Sequence, residues 1–350
     1  MVTAKHFVQL ARRQQRVAKT VGKKMGGFMN KFQSGFWRAL LAAAFAASTL
    51  TGVAAAQDDQ CSLAVVSRLA AKDQKVCDGK LVKELAEKGH AFEQNQLGIA
   101  SVLAIGRDYT DAEALKWFTR AAEKGYAPAQ VNLAVMYANG WGTSPNYGAA
   151  LNWLHAAAAQ GFARAYTNLG ILYLNGKGVH QDYVEAVRWF QLGADAGDSD
   201  AQTNLAYMYG SGLGCAKDLS AELAWYRKAA DSGNPLAEHN LADMYLRGDG
   251  AAQNPAEAFR LFQRAADHGH TGARIMLGSM YAEGIGTKRD LATAYMWLTA
   301  ASLGGDQRGR ERLVALEARL NSAQVSEARE RAQQLQFGNG RQLTARALAQ

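Results

Sequence analysis

Residues 165–178 read Ala-Tyr-Thr-Asn-Leu-Gly-Ile-Leu-Tyr-Leu-Asn-Gly-Lys-Gly, and this stretch decides the fold because it recurs. Its Gly176-x-Gly178 pair returns as Gly140/Gly142, Gly212/Gly214, Gly248/Gly250 and Gly284/Gly286, and Tyr173 returns as Tyr137, Tyr209, Tyr245 and Tyr281. Every step is 36 residues. Further along the unit, Trp117, Trp153, Trp189, Trp225, Leu261 and Trp297 keep the same step, as do Gly125, Gly161, Gly197, Gly233, Gly269 and Gly305. A degraded copy begins at Leu81, with Gly89, Leu97, Gly106 and Ala114 in register and Ser101 in place of the tyrosine.

Within a unit the apolar spacing is helical. Ala129, Leu133, Met136 and Tyr137 share one face, and Ala150, Trp153, Leu154, Ala157 and Ala158 share another. Each unit therefore reads as a helical hairpin. Helix A stops at a glycine such as Gly140, which can take the left-handed conformation that closes a helix. Asn146, Asp182, Asp218, Asn254 and Asp290 then stand where helix B needs an N-cap. One hairpin cannot bury its own apolar face, whereas stacked hairpins can. In this packing the small pairs Ala121-Ala122 and Ala229-Ala230 let helices approach, and the tryptophan ahead of them fills the space between hairpins.

The string from Ala165 to Gly178, followed by Asp182, Ala186, Trp189 and Gly197, resembles the Sel-one-like repeat (SLR) family, a relative of the tetratricopeptide repeats. The resemblance covers residues 81–305. It implies an all-α fold, an α/α superhelical solenoid of 36-residue hairpins, acting as a protein-binding scaffold. In bacteria such proteins are often exported and serve envelope signalling, exopolysaccharide systems or host contact. After Gly305 the pattern changes: Leu313, Leu316 and Leu320 continue a stripe among Arg308, Arg310, Arg312 and Arg319, and Asn321 with Gln324 forms a capping box before Val325, Ala328, Ala332 and Leu335. Residues 306–336 thus read as C-terminal capping helices and 337–350 as a flexible tail.

The net charge of +8 invites a nucleic-acid reading until it is located. Residues 1–56 hold nine Lys or Arg and no acid, which leaves the rest within one charge of neutrality. Nucleic acid is excluded as the partner. Arg38 precedes an apolar run from Ala39 that ends in Ala54-Ala55-Ala56, the pattern of a signal peptide cleaved after Ala56. A start at Met29 would give that peptide ordinary proportions. The location expected is periplasmic or secreted, the mature form not being an integral membrane protein; the alternative is an uncleaved signal that anchors the chain in the inner membrane. Export permits disulfides, and in segment 57–80 a Cys61–Cys77 bridge would close a loop of about 15 residues. It requires the chain between them to double back, and Cys215 is left over as a small apolar loop residue.

Signatures of catalysis are missing. There is no His-Glu-x-x-His, Walker loop, Gly-x-Ser-x-Gly or Cys-x-x-Cys, and the Gly-x-Gly pairs follow helices rather than strands. No enzyme activity, cofactor or metal is expected, and His268-Gly269-His270 reads as solvated turn histidines. Tetratricopeptide geometry projects a groove from helices A: Arg164, Thr167 and Ile171; Asp200, Thr203 and Tyr207; His239, Asp243 and Arg247; then Ile275 and Glu283. Asn132, Asn168, Asn204 and Asn240 form a ladder beside them, suited either to holding a peptide backbone or to locking adjacent helices. These projected positions vary while the core does not, which suits tuning for a ligand. The reading is an exported scaffold that binds an envelope or secreted protein or peptide in its concave groove. One alternative is a part in exopolysaccharide production or export, with polysaccharide machinery as partner. A further one is β-lactam binding or hydrolysis, as in some cysteine-rich relatives, although Ser-x-x-Lys and two cysteines per repeat are both missing.

Overall fold

A computed structural model describes residues 79–102, 110–304 and 306–332. The expected signal peptide, Cys61–Cys77 bridge and flexible tail lie outside the described residues. Fourteen helices follow one another, α1 (Gly79–Glu87), α2 (Ala91–Val102), α3 (Asp111–Glu123), α4 (Ala127–Asn139), α5 (Tyr147–Ala158), α6 (Ala163–Asn175), α7 (Tyr183–Asp195), α8 (Ser199–Ser211), α9 (Leu219–Asp231), α10 (Pro235–Arg247), α11 (Pro255–Asp267), α12 (Thr271–Glu283), α13 (Leu291–Leu303) and α14 (Gln307–Glu317). A last helix, α15, covers 322–332. Among the described residues there is no strand. Each helix packs on the next, so the array is a solenoid of hairpins in which even-numbered helices from α2 to α12 are helices A and their successors are helices B.

The turn chemistry follows the expected residues. Gly140 and Gly176 close α4 and α6 at φ 66° and 62°. Asp182 accepts from the backbone N–H groups of Val184 and Glu185 at 2.9 and 3.0 Å, and Asn146, Asp218, Asn254 and Asp290 cap their helices in the same way. The second glycine of each pair has a different task. A Cβ on Gly142 would stand 2.6 Å from the carbonyl oxygen of Asp111, and one on Gly250 2.5 Å from that of Leu219. Gly178, Gly214 and Gly286 meet Tyr147, Tyr183 and Pro255 in the same manner. The loop of one repeat is thus pressed against the first turn of helix B in the repeat before it.

The core differs from the expectation in one row. Trp117 and Trp297 are buried, but Trp153, Trp189 and Trp225 are only half-buried. The space inside and between hairpins is filled by the residue that follows each tryptophan: Phe118, Leu154, Phe190, Tyr226, Phe262 and Leu298, all 3% exposed or less. Complete burial of such a side chain contributes about 1.5–3 kcal/mol. Opposite it on helix A stand Gly98, Ala134, Gly170, Ala206, Ala242 and Gly278, small because that side chain lies against the helix. A Cβ on Gly170 would be 2.6 Å from two ring carbons of Phe190.

The C-terminal cap is also more regular than its composition suggests. Helix α14 stands in phase with the preceding helices A: Gly309 takes the place of Ala273, against Ala301, and Leu316 the buried place of Met280. It is a seventh helix A. Asn321 and Gln324 exchange the two hydrogen bonds of a capping box, at 3.1 and 2.9 Å, and start α15. Ala328 and Ala332 bury α15 on the array, and its Arg329 reaches the Tyr295 hydroxyl at 3.2 Å.

Candidate binding face of helices A

Helix geometry sorts the helix A positions into two sets. In α4, residues 129–131, 133, 134 and 136 are buried against neighbouring helices, whereas Pro128, Asn132, Val135 and Asn139 keep part of their surface open. The same four rows run on through Arg164, Asn168, Ile171 and Asn175; Asp200, Asn204, Tyr207 and Ser211; Leu236, Asn240, Asp243 and Arg247; Gly272, Met276, Ser279 and Glu283; and Arg308, Arg312, Ala315 and Arg319. No residue type repeats along all six rungs.

Of the eleven projected groove residues, Arg164, Ile171, Asp200, Tyr207, Asp243, Arg247 and Glu283 stand on these rows with open surface, as do the four ladder asparagines, and Tyr207 is the exposed aromatic among them at 48%. Asp243 and Arg247 form an ion pair at 2.5 Å. Asp200 accepts from the Asn234 amide at 2.8 Å, across to the next repeat. Arg164 lies close enough to Asp198 to offset part of what burial and the neighbouring Asp200 do to that carboxyl, which is to raise its pKa. The asparagine ladder divides. Asn132 donates to Asn95 of α2 at 2.9 Å and Asn240 is hydrogen-bonded to Tyr226 of α9, so both of these tie helices together. Asn168 and Asn204 instead donate to Arg164 and Asp200 carbonyls one turn back, at 2.8 and 2.9 Å, and stay on the open face.

His239 corrects the projection, and Thr167, Thr203 and Ile275 correct it with the same cause. These four occupy one row that turns into the joint between repeats, and the latter three are 3–5% exposed. The row meets the N-cap residue of the following helix A. Thr167 is hydrogen-bonded to Asp198, and His239 lies against His270, ring centroids 4.5 Å apart, with Phe262 on its other side at 5.2 Å. His270 is therefore no solvated turn residue: its Nδ1 caps α12 by accepting from Ala273 N–H at 3.1 Å. Burial first, then the nearby Arg308 guanidinium, lowers His239 to about 4. Burial, His239, Arg274 and Arg308, in that order, lower His270 to about 3.

His268 is likewise partly buried in a joint. Its Nδ1 lies 2.8 Å from the carboxylate of Glu238, which is fully buried. The reason is a row that sequence reading passed over. Gln94, Gln130, Tyr166 and Gln202 each donate to the carbonyl eight residues earlier, at the frayed end of the preceding helix B, over 3.0–3.3 Å. Glu238 stands in that row and cannot donate. Arg264 of α11 does so in its place, 2.7 Å from the Ala230 oxygen and 2.9 Å from Glu238. The signal was legible as Gln94, Gln130 and Gln202 at multiples of 36. Among the described residues no group of His, Cys, Asp and Glu is disposed to hold a metal ion, and Cys215 is a half-buried thiol near the Met208 and Leu213 carbonyls.

Comparison with known proteins places these joints in a wider set. The Sel1 repeat model matches residues 103–126, 127–162, 163–198, 199–234, 235–270 and 272–306. A Sel1 repeat protein from Oxalobacter formigenes is 28% identical, with 65% of this chain and 97% of that one covered and a TM-score of 0.56. A protective antigen of uropathogenic Escherichia coli strains that displays an SLR fold is 26% identical over 77% of this chain and 65% of its own, at a TM-score of 0.43. No curated protein matches the chain.

Proposed function

The chain belongs to the Sel1 repeat family, whose members are helical scaffolds for protein interaction, and from that premise we propose that it is an exported adaptor working without chemistry of its own. Its open helix A face is the concave groove, and a protein or peptide of the bacterial cell envelope is the partner. One observation carries the reading. The buried core rows keep one residue through five repeats, alanine from Ala129 to Ala273 and leucine from Leu133 to Leu277 at steps of 36, while three of the four open rows change, from Pro128-Val135-Asn139 to Leu236-Asp243-Arg247, beside the asparagine ladder. Packing constrains the first set and leaves the second free to be tuned for a ligand.

Export is supported by the leader ahead of Gln57 and by the near-neutral remainder. No helix of the described residues is long and apolar enough to cross a membrane. The open rows hold mixed polar, apolar and charged groups, which favours selective contacts over a nonspecific tether to a polyanion. The test is affinity capture from an envelope extract, with the chain compared against a variant in which Asn168, Asn204, Tyr207 and Arg247 are alanine. A protein retained by the parent and lost by the variant, at unchanged helicity, is the expected result. Equal recovery by both would move the binding surface elsewhere.

A further inference from the structure

The seventh helix A changes the character of the groove. Charge on the open rows is sparse and locally answered over the first four of the six rungs from Pro128 to Arg319. The Pro128 rung is uncharged, the second and third rungs carry one charge each of opposite sign at Arg164 and Asp200, with Arg164 by Asp198, and Asp243 closes on Arg247. Glu283 alone charges the fifth. The sixth rung, on and just beyond α14, carries Arg308, Arg312 and Arg319. Arg308 is paired with Asp306 at 2.9 Å, and Arg312 donates to the Ser279 hydroxyl of the rung before. That hydroxyl contact keeps Arg312 on the open face without neutralising it, and of α14's two acids Glu311 accepts from Gln307 at 3.1 Å and Glu317 is taken by Arg329 at 2.8 Å. The opposite end of the face carries one apolar row, Val135, Ile171 and Tyr207.

We propose that the occupant of this face is an extended protein segment with a large apolar side chain at one end and a cluster of carboxylates at the other, the apolar group seated at Ile171 and Tyr207 and the carboxylates at Arg312 and Arg319. The inference rests on the groove reading above and adds polarity and spacing to it. Three rungs separate Tyr207 from the arginine rung. At about 10 Å per rung that is roughly 30 Å, or about nine residues of extended chain at about 3.3 Å each. Guanidinium groups hold carboxylates through two parallel N–H groups that match two oxygens, and Asp and Glu are the anionic side chains that an unmodified peptide supplies.

A library of random 16-residue peptides displayed on phage, panned on the full chain, tests this. The expected enrichment is for two or more Asp or Glu about nine residues from a Trp, Phe, Leu or Ile. An Arg312→Glu, Arg319→Glu variant should bind the selected peptides at least tenfold more weakly and, panned afresh, enrich Lys and Arg at the same spacing. Peptides that lack acidic residues, or that ignore the charge reversal while being lost with Tyr207→Ala, would overturn the proposal and leave the groove standing. No enrichment over a fold-matched control would overturn both.

Discussion

Acid should loosen the joint between α10 and α12 before any other part of the array. His239 and His270 are largely buried, ring against ring, and the charged groups that face them are the guanidinium groups of Arg274 and Arg308. The neighbouring carboxylates are engaged elsewhere, Glu238 with Arg264 and His268, Asp306 with Arg308. Both imidazoles are thus lowered, to about 4 and about 3, while in the unfolded chain they titrate near 6.5. For a base depressed in the folded state, the unfolded chain binds more protons over the interval between the two values. Stability is therefore complete above pH 6.5 and falls as pH drops toward 4. The slope is about 1.4 kcal/mol per pH unit for each group, so pH 4.5 costs the joint roughly 3–5 kcal/mol, the lower figure allowing for relaxation of the pair. Asp198, raised by burial, works in the opposite sense, and the lowered carboxyls of Asp290, Asp306 and Glu257 lose their contribution only further into acid. Hydrogen exchange at pH 7 and 4.5, corrected for intrinsic rates, should show protection falling in α12 and α13 far more than in α4 to α7. The control variant is His239→Thr with His270→Asn, which rebuilds the Thr203–Asn234 joint of the preceding repeat and keeps an N-cap. An equal fall in all repeats, or an undiminished fall in that variant, would refute the reasoning.

Two further outcomes test the packing. Gly170→Ala brings a Cβ to 2.6 Å from the Phe190 ring and should lower stability by about 1–3 kcal/mol, largely restored by Phe190→Leu, which copies the pairing of Ala134 with Leu154; urea melts read this directly. Arg264→Ala should cost about 1–3 kcal/mol because it leaves a fully buried carboxylate with His268 as its remaining side-chain partner, and less than half of that beside Glu238→Gln, since glutamine can donate to the Ala230 carbonyl as its counterparts do; a double-mutant cycle in urea is the measurement.

What could be read in advance was whatever repeats by necessity. The Gly140 and Gly176 closures and the Asp182-type caps need one residue class each, so spacing alone announces them. The tryptophan row misled because it is the most conspicuous residue of the unit, yet Trp153, Trp189 and Trp225 sit at the flank of helix B, and the buried Phe118, Leu154, Phe190 and Tyr226 differ in type and so hide their own periodicity. His239 was misplaced for a related reason. Helix phase puts it one residue from Asn240, about 100° around the axis, and that turn moves it from the open face into the joint. The joint itself pairs residues 31 apart, Thr167 with Asp198 and His239 with His270, a separation that belongs to no single unit and that no pattern of 36 displays. In the cap, Gly309 and Leu316 kept the phase, but the arginines between them masked it.

That 31-residue separation also governs how such an array can change length. Each joint is assembled from two neighbours, half of its chemistry supplied by one helix A and half by the cap of the next. Loss of residues 234–269 would leave all rows in phase and each loop glycine against a helix start, so the shortened chain would fold on the same plan. Yet Thr203 would then face His270, a couple that neither parent joint contains. Lineages that gain or lose whole units therefore inherit intact walls and new hinges, and the hinges, not the walls, are where two proteins of equal length come to differ.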